Sequence, residues 1–293
     1  MRYSEGHWLH TFRQALRTRE FTLTAELVLD SHSDSASLIT QAKILAEQVD
    51  AIQVPENSGN QVHMSPLAAA AILLGAGIDP VLHMNCRDRN SLALRGDLLG
   101  AASLGVSSLL LMRGKEFSAA ARPRIKPVYE WGARRLIACA SKMQGAEFLL
   151  GSIATVFKPD RNWQPEKIVT KADAGARFIQ TQLCFDIDVL RHYMARLVEE
   201  KLIERVNVIV ALGTLPSADI AHWLGKSLRG AAVPPRLVKR LRQASDPEQE
   251  GITICAELLQ AVAEIPGTSG AHLTGFGNQE AVAEAVRQSG VRG

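Results

Sequence analysis

The chain has 293 residues, 46% of them hydrophobic, with 33 basic and 30 acidic residues and a net charge of +3. This length suits one α/β barrel of about 250 residues with added elements, or two domains of about 150 residues each. Basic and acidic residues are interspersed, and this pattern does not favour nucleic-acid binding.

Cysteine usage and hydropathy indicate the compartment. The N-terminal segment carries charged side chains and no apolar signal core. The longest apolar run, residues 66–78, is shorter than the roughly 20 residues that cross a bilayer. The cysteines lie far apart and form no CxxC pair, which is typical of a reducing environment; they are Cys86, Cys139, Cys184 and Cys255. We therefore expect a cytoplasmic protein without a membrane segment.

Short apolar segments alternate with helix-length segments along the chain. Eight strands are predicted, at residues 22–29, 51–55, 80–84, 107–112, 147–154, 177–182, 206–212 and 270–274. Helices are predicted at residues 35–48, 66–74, 91–104, 128–142, 165–174 and 186–200, and three more, at 216–225, 234–244 and 246–265, precede the last strand. Alternation of this kind predicts parallel strands joined by crossover helices.

The predicted fold class is α/β, as a (βα)8 TIM barrel with extra helices before the last strand. The main rival is a doubly wound sheet, which usually carries a GxGxxG nucleotide motif after its first strand. Residues 22–30 contain no glycine. No repeat, linker or low-complexity tract interrupts the sequence, so we expect a single barrel domain over residues 1–293.

Glu26 is a carboxylate inside the first predicted strand, between Ala25 and Leu27. Burial of a carboxylate is costly, and desolvation raises its pKa toward that of a general acid. A salt-bridged or edge-facing glutamate is the structural alternative. Because ligands bind at the C-terminal ends of barrel strands, the predicted fold favours a functional role for Glu26.

The segment PVLHMNCRDRN, residues 80–90, places His83 at the end of a strand and Cys86 in the loop that follows. Two such residues without a second pair are weak evidence for zinc, so no metal site is predicted. Arg87, Asp88 and Arg89 are as readily explained by ion pairs at the start of a helix.

The segment LLLMRGKEF, residues 109–117, is an apolar strand followed by Arg113, Gly114 and Lys115. Arg113 could hold an anion, and Gly114 would let the backbone approach a planar or phosphate-bearing ligand. A strand-to-helix turn with solvated charges is the alternative.

The segment KADAGARFIQTQLCFD, residues 171–186, combines a helix end, a glycine turn, a short strand and amide side chains where the strand stops. Gln180 and Gln182 are two positions apart, so both side chains point to the same face of the strand. Gln182 is therefore a candidate ligand contact at the C-terminal end of the barrel.

These segments together resemble the methylenetetrahydrofolate reductase family. The motifs that carry the resemblance are TAEL with Glu26, HMNCRDRN with His83, LMRGK with Arg113 and Gly114, the 171–186 segment with Gln182, and IPGTSGAHL at residues 265–273. Their order and their placement at successive strand ends extend over most of the chain.

The resemblance implies a (βα)8 barrel that interconverts 5,10-methylenetetrahydrofolate and 5-methyltetrahydrofolate with NADH or NADPH, in one-carbon metabolism and methionine biosynthesis. It assigns Glu26 as the acid that helps open the methylene bridge. Gln182, with Gln180 beside it, is expected to contact the pterin. The expected partner is a tetrahydrofolate derivative as substrate, and a homo-oligomer is compatible with this reading.

The cofactor positions of the family are matched in part. His83, Arg113, Gly114 and Lys171 correspond to cofactor-binding positions, but residues 154–170 lack the usual flavin contacts. Lys115 stands in the substrate region where the family commonly has an aspartate. Either Glu116 takes over that role through a one-residue shift, or the site works with different electrostatics. Two hypotheses follow: bound FAD relays the hydride, or the nicotinamide transfers it directly.

Two other functions are open on the same barrel. A Schiff-base lyase would use Lys115 or Lys171 as the nucleophilic amine. A folate-binding partner of a methyltransferase, without reductase activity, would account for Lys115 and for the missing flavin contacts.

Overall fold

Eight parallel strands close into a barrel in the computed structural model, which describes residues 11–18, 21–57, 62–117, 125–228 and 230–292. Each strand pairs with the next in sequence, and β8 pairs with β1. The strands are β1 (Thr22–Glu26), β2 (Ala51–Val54), β3 (Pro80–Asn85), β4 (Ser108–Met112), β5 (Leu149–Ala154), β6 (Phe178–Thr181), β7 (Asn207–Gly213) and β8 (Thr268–Thr274). The predicted barrel is confirmed, and the doubly wound alternative is excluded.

The helices surround the barrel in the order that crossover connections require. They are α1 (Phe12–Thr18), α2 (Ser35–Ala46), α3 (Pro66–Gly75), α4 (Ser91–Leu104), α5 (Ala133–Ser141), α6 (Glu166–Ala174), α7 (Ile187–Glu199), α8 (Ala218–Ser227), α9 (Pro235–Gln243), α10 (Pro247–Ala263) and α11 (Gln279–Ser289). A short 3-10 turn spans Leu202–Glu204. Helices α8, α9 and α10 lie between β7 and β8, as predicted. No helix within the described ranges is long and apolar enough to cross a membrane.

Three features differ from the sequence prediction. Strand β1 ends at Glu26 rather than continuing to residue 29. The helix predicted from residue 128 begins only at Ala133, because the N–H groups of Val128 and Tyr129 bond to carbonyls of the β3 loop and Tyr129 takes a positive φ of 45°. Helices α1 and α11 were not predicted.

Helix α1 closes the N-terminal end of the barrel. Phe12 is fully buried and meets the Phe178 ring edge-on, with 5.2 Å between ring centroids. The Phe12 N–H donates to the Asp79 carboxylate at 3.0 Å, which fixes the start of the helix. The surrounding layer is apolar and includes Val81 and Ile209. With this end packed by apolar side chains, the open end is the C-terminal one, where barrel sites lie.

Gly151 on β5 makes room for the Phe178 ring. A Cβ atom at this position would lie 2.1 Å from the nearest ring atom. The ring is fully buried against Phe12 and therefore has nowhere to move without disturbing α1. The apolar layer at the N-terminal end of the barrel, which includes Phe12, Val81, Phe178 and Ile209, is called the barrel floor below. Its packing requires that position 151 carry no side chain.

We predict that Gly151→Ala lowers the free energy of unfolding by about 3 kcal/mol, because the added methyl group overpacks the barrel floor. Gly96→Ala is the matched control, since a Cβ there meets nothing within 4 Å on the exposed face of α4. The control should gain up to about 1 kcal/mol from helix propensity. Urea unfolding of both variants measures the difference, and equal stabilities would refute the packing argument.

Candidate active site

A hydrogen-bonded polar layer occupies the barrel interior above the apolar floor. Its centre is Gln53 on β2, which is fully buried. The Gln53 Nε2 group donates to the Gln180 Oε1 atom at 2.6 Å and to the Thr24 hydroxyl at 3.0 Å. Its Oε1 atom pairs with His83 Nε2 at 2.8 Å. One amide thus connects strands β1, β3 and β6 to β2.

The polar layer continues from Thr24 to β8. The Thr24 hydroxyl lies 3.0 Å from Nδ1 of His272, and the other ring nitrogen, Nε2, lies 4.0 Å from Oε2 of Glu26. Glu26 is the last residue of β1, and its side chain is 29% exposed. Glu26 therefore stands between the buried polar layer and the open end of the barrel.

Burial controls the protonation of these groups. It raises the pKa of Glu26 to about 7, because the charged carboxylate is poorly solvated at the barrel mouth. Burial also lowers the pKa of His83 and of His272 to about 3. Both imidazoles are therefore neutral at physiological pH, and the contact of His272 with Glu26 is not a salt bridge. A carboxylic acid that titrates near neutrality is suited to proton transfer.

His83 and Cys86 point to opposite sides of the barrel wall. His83 faces the interior, where it bonds Gln53, while Cys86 is buried in the apolar layer that includes Leu82 and Met84. The described residues contain no cluster of three His, Cys, Asp or Glu side chains that could hold a metal ion.

The loop after β3 is held by an ion-pair network. Arg87 is buried and bonds the Asp88 carboxylate and the carbonyl groups of Asn57 and Lys115. Its guanidinium also lies over the Phe117 ring, 4.3 Å from the centroid. Arg87 thus holds neighbouring loops together. This agrees with the alternative given for the sequence, in which these charged residues form ion pairs.

Arg89 belongs to the same network. It pairs with Glu56 at 2.6 Å and with Asp97 at 2.8 Å. The Glu56 carboxylate also accepts the backbone N–H of Asn85 at 3.0 Å. Burial raises the pKa of Glu56, and the Arg89 cation opposes that rise.

The loop after β4 places Arg113 and Gly114 at the rim. The Arg113 guanidinium lies 3.8 Å from the centroid of the Tyr129 ring and bonds Glu116 at 3.0 Å. Gly114 has a φ of 90°, and a Cβ atom there would lie 2.8 Å from Cβ of Arg87. The glycine is therefore required by the packing of this loop against the β3 loop.

The other predicted residues lie around the same rim. Lys115 is exposed, and its carbonyl accepts a bond from Arg87. Gln182 directly follows β6, is half-buried, and donates its backbone N–H to the Ala154 carbonyl at 2.7 Å. The Lys171 ammonium donates to the Ile153 carbonyl at the end of β5, and burial lowers the pKa of this lysine.

A match to a known protein family identifies the family of this chain. The sequence profile described as "Methylenetetrahydrofolate reductase" matches residues 11–290. The chain belongs to the methylenetetrahydrofolate reductase family. Membership in this family supports the assignment of the protein as an oxidoreductase of folate metabolism.

Solved structures resemble this member of the methylenetetrahydrofolate reductase family in fold. One, titled "Complex structure of GH113 beta-1,4-mannanase", has a TM-score of 0.51 and 14% identity over 92% of this chain and 98% of that chain. Another is 2,3-dimethylmalate lyase, a PEP mutase/isocitrate lyase superfamily member, with a TM-score of 0.50 and 13% identity over 94% and 81% of the two chains. At such identities the likeness shows the barrel alone. Among curated protein sequences, none matches at a significant level.

Four residues of the site were not among the candidates predicted from the sequence. They are Thr24, Gln53, Tyr129 and His272. Gln53 and His272 could have been predicted, since each is a polar residue within an apolar predicted strand, as Glu26 is. Tyr129 had no such signal, because it fell within a predicted helix.

We predict that Glu26→Gln is more stable than the wild type at pH 8, by about 1–2 kcal/mol for a carboxylate that keeps partial solvent access. The folded state holds the Glu26 proton more tightly than the unfolded state does. The wild type therefore loses stability as pH rises from the unfolded pKa of 4.5 through the folded pKa of about 7. Urea unfolding at pH 5 and pH 8 should show the advantage of Glu26→Gln growing with pH. A constant difference would contradict the raised pKa.

Proposed function

We propose that the protein is a methylenetetrahydrofolate reductase that interconverts 5,10-methylenetetrahydrofolate and 5-methyltetrahydrofolate with NADH or NADPH. The observation that carries the proposal is Glu26, a carboxyl with a pKa of about 7 at the open end of a barrel of this family. Reduction of the methylene bridge needs an acid that is protonated near neutral pH and returns to the carboxylate afterwards. Glu26 meets that need.

The reaction begins with proton transfer from Glu26 to N10 of the folate. Protonated N10 leaves the bridging carbon, the electron pair of that C–N bond stays on N10, and the N5 lone pair forms an iminium double bond to the carbon. A hydride then adds to this carbon and gives the 5-methyl group, while the pair of the C=N bond returns to N5. The ionised Glu26 is the base for the reverse reaction.

Gln182 is the proposed pterin contact. Gln180 lies on β6, and its Oε1 atom accepts a bond from Gln53 in the polar layer, while Gln182 directly follows the strand. Gln182 is two residues nearer than Gln180 to the C-terminal end of the barrel. An amide offers a donor and an acceptor side by side, which suits the edge of a pterin ring.

We propose direct hydride transfer from the nicotinamide, without a bound flavin. The motif resemblance assigns cofactor-binding roles to His83, Arg113, Gly114 and Lys171. The three side chains among them each bond a protein group, and the space beside Gly114 is filled by Arg87. Charge-assisted bonds from these side chains to a phosphate-rich cofactor would compete with these existing contacts. We propose that these positions hold no FAD, and no step of the mechanism uses it.

Lys115 gives this site a positive charge at the position where the family commonly has an aspartate. It is exposed at the rim, in a loop anchored by the bond from Arg87 to its carbonyl. An ammonium in solvent is screened, so its repulsion of a cationic iminium is about 1 kcal/mol or less at several ångströms. We propose that Lys115 attracts the anionic part of the substrate rather than taking part in the chemistry.

We also propose a cytoplasmic location. All four cysteines are free in the structure, which is the state of thiols in a reducing compartment.

We predict that Glu26→Gln lowers kcat for methylenetetrahydrofolate reduction by about 10²–10⁴-fold, the usual contribution of a general acid. Glu47→Gln is the control, because Glu47 is exposed at the C-terminal end of α2, away from the barrel mouth. Oxidation of NADH or NADPH at 340 nm measures both variants. Equal rates for Glu26→Gln and wild type would eliminate the proposed acid. Folate binding without nucleotide oxidation by the wild type would favour a binding partner instead.

We predict that the purified protein is active without a visible flavin spectrum. Turnover with nicotinamide deuterated at the transferred position should place the deuterium in the 5-methyl group, and turnover in heavy water should place none there. A reduced flavin exchanges its N5 hydrogen with water, so solvent deuterium in the methyl group would contradict direct transfer. A Schiff-base lyase would instead form a borohydride-trapped adduct with a carbonyl substrate.

A further inference from the structure

The hydrogen bonds of the polar layer have a defined direction that ends at Glu26. The Gln53 Nε2 group can only donate, so Thr24 Oγ1 is the acceptor of that bond. Among the described residues, Thr24 Oγ1 bonds only Gln53 and His272. The hydroxyl proton of Thr24 is therefore directed to Nδ1 of His272.

This direction fixes the tautomer of His272. A neutral imidazole that accepts a bond at Nδ1 carries its proton on Nε2. Nε2 is the ring nitrogen that lies 4.0 Å from Oε2 of Glu26. The structure thus holds an N–H group next to the carboxyl, with its orientation set by Thr24 and Gln53.

We propose that His272 is a positioning residue for Glu26, which uses its Nε2–H group to stabilise the carboxylate that remains after the proton has moved to the folate. The proposal rests on the proposed function for its role in the reaction. The distance of 4.0 Å between His272 Nε2 and Glu26 Oε2 is longer than a hydrogen bond. We expect a rotation of the Glu26 side chain to close it when the carboxyl becomes charged.

Besides Glu26, the described groups around His272 carry no charge that changes near neutral pH. The Nε2–H dipole of His272 is therefore the main influence of this layer on the pKa of Glu26. Gln53 on β2 and Gln180 on β6 do not titrate, and His83 on β3 stays neutral because burial lowers its pKa to about 3. Burial causes the shift in the pKa of Glu26, and no charged side chain within the described ranges contributes to it. An N–H group directed at the carboxylate opposes that burial effect.

Two substitutions separate the bond to Thr24 from the contact with Glu26. In His272→Asn the amide reaches the place of Nδ1 and can still accept from Thr24, but nothing reaches Glu26. In His272→Gln the amide reaches the place of Nε2 and keeps a donor toward Glu26, but the bond to Thr24 is lost. A purely structural histidine would make His272→Gln the more harmful change and leave the titration of Glu26 unmoved in both.

The test is an infrared titration of the Glu26 carboxyl between pH 5 and pH 9, assigned by subtracting the spectrum of Glu26→Gln. His272→Asn should raise the pKa of Glu26 by about one unit, a tenfold change in proton affinity, because the carboxylate loses its donor. His272→Gln should keep the pKa within a few tenths of a unit of the wild type. Circular dichroism and thermal unfolding check that both variants fold.

The outcomes separate this inference from the proposed function. An unchanged or lowered pKa in His272→Asn would overturn the role of His272, whether or not the wild type reduces methylenetetrahydrofolate. The predicted shift in a protein without reductase activity would support the role of His272 and reject the proposed function. If the variant is active, the alkaline limb of its kcat/KM profile should move by the same amount as the carboxyl pKa.

Discussion

The Gln53 side chain is the interaction on which the interior of this barrel depends. It is fully buried and bonds groups on three other strands. A buried amide without partners would cost several kcal/mol, so the pairing also restricts how the strands can register. Each partner is thereby held in one orientation, and the polar layer acts as a unit rather than as separate side chains.

The protonation of the site follows from this arrangement. Because Gln53 and Thr24 satisfy the buried histidines as neutral groups, the described part of the interior places no positive charge near Glu26. The carboxyl is therefore desolvated without compensation by an ion pair, and its pKa rises to about 7. The arginines of the rim are instead paired with acidic residues such as Asp88 and Glu56, where they fasten loops. The division between a neutral interior and a charged rim leaves Glu26 as a carboxyl that titrates near neutral pH.

The sequence predicted the fold well because local signals were enough. Strand and helix periods, turn glycines and the three helices before β8 all follow from neighbouring residues, and Glu26 was found as a carboxylate within an apolar strand. The polar layer could not be predicted in the same way. Gln53 meets Gln180 across 127 residues, and Thr24 meets His272 across 248 residues. Such pairs depend on strand register and barrel closure, which no local pattern encodes. Similarly, the close packing of Gly114 against the Arg87 side chain is evident only once both loops are placed.

The central claim is that Glu26 is the acid that opens the methylene bridge, and that burial gives it a pKa of about 7. The most direct test is the pH dependence of kcat/KM for methylenetetrahydrofolate reduction by the wild-type protein. We expect a rate that falls tenfold per pH unit above a pKa near 7, and a residual rate in Glu26→Gln that lacks this decline. A wild-type profile that stays flat from pH 6 to pH 9 would contradict it.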